Sequence, residues 1–117
     1  MIEFNRECLE ELYKIGGDYL IEQLTNYYFL NYKNFQKEFL QHFENKNNRE
    51  ISELAHKLKS TSAQFGLDRL YAHCALLELK YQNQQAILGE DIFTVNKLLD
   101  SANTVLVNYL AESKKAS

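Results

Sequence analysis

The sequence predicts an all-α protein, an antiparallel up-down-up-down four-helix bundle with a short additional N-terminal helix. Three observations favour this fold class. Apolar residues recur at helical spacing over long stretches, no stretch shows a competing strand pattern, and there is no proline. The four glycines, Gly16, Gly17, Gly66 and Gly89, each stand close to the place where a helical pattern stops. We therefore expect helices between the glycines.

The short first helix is predicted over residues 5–15. It ends at Gly16-Gly17, because a residue without a Cβ atom can adopt the left-handed conformation that closes helices. Asp18 is a suitable N-cap for a long second helix, which runs to about Glu44. One face of this helix has the spacing of a bundle seam, and it carries Leu20, Leu24, Tyr28, Phe35, Phe39 and His42.

The polar segment 45–48 has no apolar anchor and predicts a turn, with Asn48 as the N-cap of a third helix that extends to about Phe65. Gly66 closes this helix and Asp68 opens the fourth. The residues of the fourth helix expected to point inward are Leu70, Cys74, Leu77 and Tyr81.

Residues 82–85 are polar and lead into the last predicted loop around Gly89. Asp91 is then expected to cap a fifth helix. The predicted inward residues of the fifth helix are Val95, Leu98, Leu99, Ala102, Val105, Leu106 and Tyr109.

The composition indicates one ordinary globular domain over residues 1–117. The chain is 45% apolar and 25% charged, with a formal charge of −3, which argues against a nucleic-acid partner. No run is long and apolar enough to cross a membrane, and the first six residues lack the pattern of a signal peptide. We expect a cytoplasmic monomer in which Cys8 and Cys74, each within a helical apolar pattern, remain reduced.

His56 lies on the polar side of the strongly amphipathic third helix. At about 100° per residue, the apolar positions fall within roughly 80° of one direction, and His56 points about 140° away from it. Lys59 at i+3 and Ser60 at i+4 are the neighbours of the imidazole along the helix surface. Because Ser52, Ser60 and Ala63 around the ring are small, the active site of a partner can approach the imidazole closely.

The residues around His56 resemble the histidine-containing phosphotransfer (HPt) domain family. The family pattern has an Ala-His-x-Leu-Lys-Gly run, a glycine six residues later, and then leucine, a small apolar residue and glutamate at helical spacing. This chain departs from it at Ser60, where the family usually has glycine. The residues that carry the resemblance are Ala55, His56, Leu58, Lys59, Gly66, Leu70, Cys74 and Glu78.

The resemblance implies that His56 accepts a phosphoryl group from a receiver-domain aspartate and passes it to a second receiver domain. Imidazole is unprotonated near neutral pH and is therefore a competent nucleophile. Lys59 would offset the charge of the bound phosphoryl group, and Gly66 would be structural. The implied partners are response-regulator receiver domains, or a hybrid sensor kinase that contains one.

The sequence contains no phosphate-binding loop, no glycine-rich nucleotide motif and no acidic cluster placed to hold magnesium beside His56. We therefore expect no ATP-dependent kinase activity and no cofactor, with magnesium supplied by the partner receiver domain. A non-catalytic adaptor that binds a receiver or kinase without accepting phosphate remains open as an alternative, and Ser60 is the feature that favours it.

A metal-dependent bundle enzyme is a further alternative, because Glu53 and His56 form a Glu-x-x-His element like those of di-iron bundles. Such a site needs a second element of this kind, and neither His42 nor His73 has a glutamate three residues before it. Glu53 and His56 are also predicted to point outward. We therefore predict no metal site.

Several other residues are candidates for a docking surface. The basic residues Arg49, Lys57 and Lys59 would suit an acidic receiver pocket, because such charges raise the rate of encounter. Apolar residues of the second helix that lie off its seam or at its edges either border such a patch or pack against a neighbouring helix; they are Ile21, Tyr27, Phe29 and Leu40.

Overall fold

The computed structural model describes residues 4–116, and the side chains of residues 4–112. This part of the chain forms four helices and no strand: α1 (Arg6–Glu44), α2 (Asn48–Phe65), α3 (Asp68–Gln82) and α4 (Gly89–Ala116). Both α1 and α3 pack against α2 and α4, so that the four helices surround a shared core. The all-α fold class and the helical bundle are confirmed, whereas the antiparallel order stays a prediction.

The element α1 covers both the first and the second predicted helices. It is interrupted at Gly17, whose backbone has φ 65° and ψ −158°, a conformation open to glycine but not to residues with a Cβ atom. The predicted break therefore falls at the right glycine pair. The additional N-terminal helix is not confirmed as a separate element, because the segment before Gly17 continues directly into the rest of α1.

Two predicted caps are wrong by a few residues. The side chain of Asn47, rather than that of Asn48, caps α2 by accepting from the backbone N–H of Glu50 at 3.4 Å. Asp91 lies inside the first turn of α4, and its carboxylate reaches back to the backbone N–H of Leu88 at 2.8 Å. This contact is one of the two hydrogen bonds of a capping box, the one in which a side chain of the first turn accepts from a backbone N–H just before the helix. Like an N-cap side chain, it gives a hydrogen-bond partner to a backbone N–H that has none within the helix.

Tyr28 of α1 is a central residue of the core. Its side chain is fully buried, its hydroxyl donates to the carbonyl oxygen of Leu99 in α4 at 2.6 Å, and its ring meets that of Phe65 in α2 edge to face. Burial raises the pKa of the Tyr28 hydroxyl well above its ordinary value. This residue therefore ties three helices together.

The predicted inward faces are largely confirmed for α2 and α4, with corrections in α1 and α3. In α1 the buried positions include Ile21 and Thr25, whereas Leu20 and Leu24 are only half-buried. In α3, Tyr81 lies in the last turn of the helix and is 39% exposed rather than buried. Residues with fully buried side chains in the four helices include Leu9, Phe39, Ile51, Leu58, Cys74, Leu77, Val95, Leu99 and Leu106.

Both cysteines are free, and Cys74 lies in the core. Over the described residues, no helix combines the length and apolar character that crossing a membrane requires.

Gly66 ends α2 in the predicted left-handed conformation, with φ 71° and ψ 28°. Its carbonyl oxygen accepts a hydrogen bond from the backbone N–H of Asn5 at 2.7 Å. A Cβ atom at this position would collide with the carbonyl oxygen of Asn5. Gly66 therefore allows the close approach between the end of α2 and the start of α1.

Substitution of Gly66 by alanine is expected to lower the free energy of unfolding by about 2 kcal/mol or more, because a residue with a Cβ atom is strained at this positive φ and also meets Asn5. Urea denaturation measures the change. Gly89→Ala is the matched control, since its Cβ would make only an ordinary 3.8 Å contact with the ring of Phe43. Equal stability of the two variants would contradict this account of Gly66.

Candidate functional site

His56 projects from the middle of α2 into solvent. Ala55, directly before His56, and Leu58, two residues after it, are fully buried, whereas the His56 side chain is 71% exposed. The amphipathic pattern produces this arrangement, because the positions that pack on the core all lie on the other side of the helix. The prediction that His56 faces outward is confirmed.

Glu78 of α3 contacts both polar side chains that the sequence singles out on α2. Its Oε2 lies 3.0 Å from Nδ1 of His56, and its Oε1 lies 3.0 Å from Nζ of Lys59. The Oε1 contact is an ion pair whose angles fall short of hydrogen-bond geometry. Glu78 is 13% exposed and Lys59 27% exposed, so the pair lies partly beneath the surface from which His56 projects.

The electrostatics of this cluster favour an ionised carboxylate. Burial raises the pKa of the Glu78 carboxyl, but its contacts with Lys59 and His56 outweigh this effect and bring the pKa below its ordinary value. The contact with Glu78 in turn raises the pKa of the Lys59 ammonium. Near neutral pH the cluster therefore contains a carboxylate and an ammonium beside the imidazole.

The contact with Glu78 selects one tautomer of a neutral His56. An ionised carboxylate only accepts hydrogen bonds, so Nδ1 must carry the proton and donate it to Oε2. The lone pair of the ring is then on Nε2, which has no hydrogen-bond partner among the described residues. A histidine held in this way can act as a nucleophile or a base through Nε2.

Small side chains of α2 border the His56 ring. Ser60 and Ala63 are exposed and Ser52 is half-buried, as expected for the small residues that flank His56. On α3, the half-exposed ring of Tyr71 borders the cluster, and its centroid lies 5.8 Å from Nζ of Lys59. Three of the neighbours of the imidazole on α2 are therefore small residues.

The three basic residues predicted near the site differ in their surroundings. Lys59 is paired with Glu78, and Arg49 forms an exposed ion pair with Glu53 at 3.2 Å. Lys57 is exposed, and its ammonium lies 5.6 Å from the ring centroid of Phe35. Of the three basic side chains, only that of Lys57 makes no ion pair within the described part of the chain.

The apolar candidates for a docking surface separate into two groups. Ile21 is buried and Phe29 is half-buried against the core, as expected if these two residues pack against neighbouring helices rather than border a docking surface. Tyr27 and Leu40 are each about half exposed.

The other histidines lie apart from this cluster. His73 is half-buried, and its Nε2 lies 2.8 Å from the backbone carbonyl oxygen of Asp91, to which it donates. His42 is half-buried near the end of α1. Within residues 4–116, no three His, Cys, Asp or Glu side chains are grouped so that they could hold a metal ion.

The role of Glu78 was not predicted from the sequence, although this residue is part of the motif. The positions of His56 and Glu78 in the sequence nevertheless indicate that the two residues can meet. Only Gly66 and Leu67 separate α2 from α3, and His56 and Glu78 lie at similar distances from this turn. A tight turn brings such residues together when the two helices pack side by side, but the faces that meet depend on how the helices pack.

The bundle thus presents on its surface an exposed imidazole that is held by a carboxylate from the next helix. The family model described as Hpt domain matches residues 2–113, nearly the whole chain. The protein therefore belongs to the Hpt domain family, which acts in histidine phosphotransfer and interacts with receiver domains in phosphorelays. Neither the comparison with curated proteins nor that with solved structures gave a match.

Proposed function

We propose that the protein is a phosphorelay intermediate in which His56 accepts a phosphoryl group from a receiver-domain aspartate and passes it to the aspartate of another receiver domain. The observation that carries this proposal is the exposed His56, which has Nδ1 on Glu78 and whose Nε2 has no hydrogen-bond partner among the described residues. Family membership supports it independently.

The transfer follows from this geometry. The lone pair of Nε2 attacks the phosphorus of the aspartyl phosphate, an N–P bond forms, and the P–O bond breaks as the aspartate leaves as a carboxylate. The ring, already protonated on Nδ1, becomes positively charged as Nε2 is phosphorylated. The carboxylate of Glu78, 3.0 Å from Nδ1, stabilises this positive charge.

Lys59 has two roles in this proposal. Its ammonium holds the Glu78 carboxylate in place and keeps it ionised. Its positive charge on the same surface also offsets the negative charge of the incoming phosphoryl group. Both roles favour transfer to a neutral His56.

We further propose that the protein acts as a cytoplasmic monomer with its helices in antiparallel order. The receiver domain, free or within a hybrid sensor kinase, supplies the aspartate and the magnesium ion. Ser52, Ser60 and Ala63 form the low surface on which the receiver docks, and Gly66 fixes the end of the helix that carries them.

The labelling of His56 tests this function. Incubation of the purified protein with a receiver domain carrying radiolabelled aspartyl phosphate is expected to give acid-labile label on the wild type and none on His56→Gln. His73→Gln is the matched control and should still be labelled, because His73 is half-buried and bonded to Asp91. Label on His56→Gln would contradict the site. A wild type that binds phosphorylated receivers but accepts no label from any of them would favour the adaptor.

The contribution of Glu78 is measured by the rate of transfer. Glu78→Gln keeps an acceptor for Nδ1 but loses the charge, so we expect transfer at least about tenfold slower, the effect of one charge-assisted hydrogen bond. Glu78→Ala loses both and should be slower still. Rapid-quench measurement against a fixed phosphorylated receiver gives the rates, and circular dichroism verifies that the variants remain helical.

Two further variants complete this comparison. Lys59→Met keeps most of the aliphatic stem but removes the ammonium, and it should also slow transfer. Glu53→Gln is the control, since Glu53 is an exposed carboxylate on α2 that pairs with Arg49 instead. Wild-type rates in Glu78→Gln and Glu78→Ala would exclude the carboxylate from the reaction, and a wild-type rate in Lys59→Met would exclude the ammonium.

A further inference from the structure

The phosphoryl group on His56 needs hydrogen-bond donors, and the structure limits which side chains of this chain can provide them. Phosphorylation on Nε2 places three acceptor oxygens on the side of the ring opposite Nδ1. Because Nδ1 faces Glu78 of α3, Nε2 faces away from α3. The donors that matter are therefore those on the solvent side of α2.

Lys59 is paired on the α3 side of the ring. It stands at i+3 from His56, and its ammonium contacts the same α3 carboxylate as Nδ1 does. The Lys59 side chain is only 27% exposed and its ammonium is already paired with Glu78, so a contact with a phosphoryl oxygen competes with that ion pair. Departure of the ammonium would also take from Glu78 the cation that helps to keep this carboxylate ionised beside Nδ1 of His56.

Ser60 flanks the ring on the other side. On a helix, residues at i+3 and i+4 lie about 60° to one side and about 40° to the other side of residue i. Ser60 at i+4 therefore borders His56 on the side away from Lys59 and α3. It is exposed, and residues four apart on a helix are direct neighbours on its surface.

The hydroxyl of Ser60 is available. It has no hydrogen-bond partner among the described residues, whereas the hydroxyl of Ser62 in the same helix donates to the carbonyl oxygen of Leu58 at 2.7 Å. A serine that bonds its own helix satisfies its donor locally. Ser60 keeps its donor for a group that arrives at the surface.

On the basis of the proposed function, we propose that the Ser60 hydroxyl donates a hydrogen bond to a phosphoryl oxygen on Nε2 of His56. Ser60 is thus a positioning residue that favours the dianionic phosphoryl group and fixes its rotation about the N–P bond. The oxygens of the phosphoryl group are strong acceptors and the hydroxyl is a neutral donor, so the contact needs no proton transfer.

Phosphorus NMR of the phosphorylated protein tests this proposal without a receiver domain. Potassium phosphoramidate is the phosphoryl donor: its P–N bond breaks, ammonia leaves, and an N–P bond to histidine forms. His56→Gln identifies the signal that belongs to phosphorylated His56. A pH titration of that signal then gives the pKa of the second phosphoryl ionisation.

The expected result is a pKa of this phosphoryl group about 0.3 to 1 unit higher in Ser60→Ala and Ser60→Gly than in the wild type, because a donor stabilises the dianion. Ser60→Thr keeps a hydroxyl and should stay close to the wild-type value. Thr104→Ala is the control, because it removes an exposed hydroxyl from α4, a helix that does not pack against α2. A merely structural role of Ser60 would not produce this pattern.

Two outcomes overturn the proposal in distinguishable ways. If phosphorylated His56 forms and its phosphoryl group titrates alike in the wild type, Ser60→Ala and Ser60→Gly, the role of Ser60 is wrong and the proposed function stands. If no signal of the wild type disappears in His56→Gln, His56 is not phosphorylated. The proposed function and the role of Ser60 are then both wrong.

Discussion

The carboxylate of Glu78 binds His56 and Lys59 at once, and the chemistry of the site depends on this contact between α2 and α3. A carboxylate that is only 13% exposed is costly to leave without partners, and the Lys59 ammonium offsets that cost. The imidazole then receives a fixed acceptor on Nδ1 while its other nitrogen remains in solvent. Two 3.0 Å contacts thus give an exposed histidine a defined tautomer.

The bundle keeps these side chains at contact distance through packing elsewhere. Ile51 and Leu58 of α2 and Cys74 and Leu77 of α3 are fully buried in the common core, so the two helices cannot slide without opening it. The burial of Cys74, one turn before Glu78, raises the pKa of its thiol to about 12 and keeps it a neutral packing group. The helix that carries His56 therefore packs its other face on uncharged side chains.

The sequence predicted most of the elements, because apolar spacing and glycine positions are local signals. Gly66 has the backbone conformation expected of a helix end, and His56 lies on the expected face. The caps at Asn47 and Asp91 were misplaced because neighbouring polar residues compete for one orphan N–H group, and the outcome depends on the angle at which the chain enters the helix. The bond from His56 to Glu78 joins positions 22 residues apart, and no local pattern specifies which faces of two helices meet.

The tautomer of His56 is the most direct measure of this account. Long-range ¹⁵N–¹H correlation NMR of the ring, recorded on the neutral imidazole in the wild type and in Glu78→Ala, reports which nitrogen carries the proton. We expect Nδ1 to be protonated and Nε2 to carry the lone pair in the wild type, with this preference lost in Glu78→Ala. A wild-type ring protonated on Nε2, or the same tautomer in both proteins, would contradict the role assigned to Glu78.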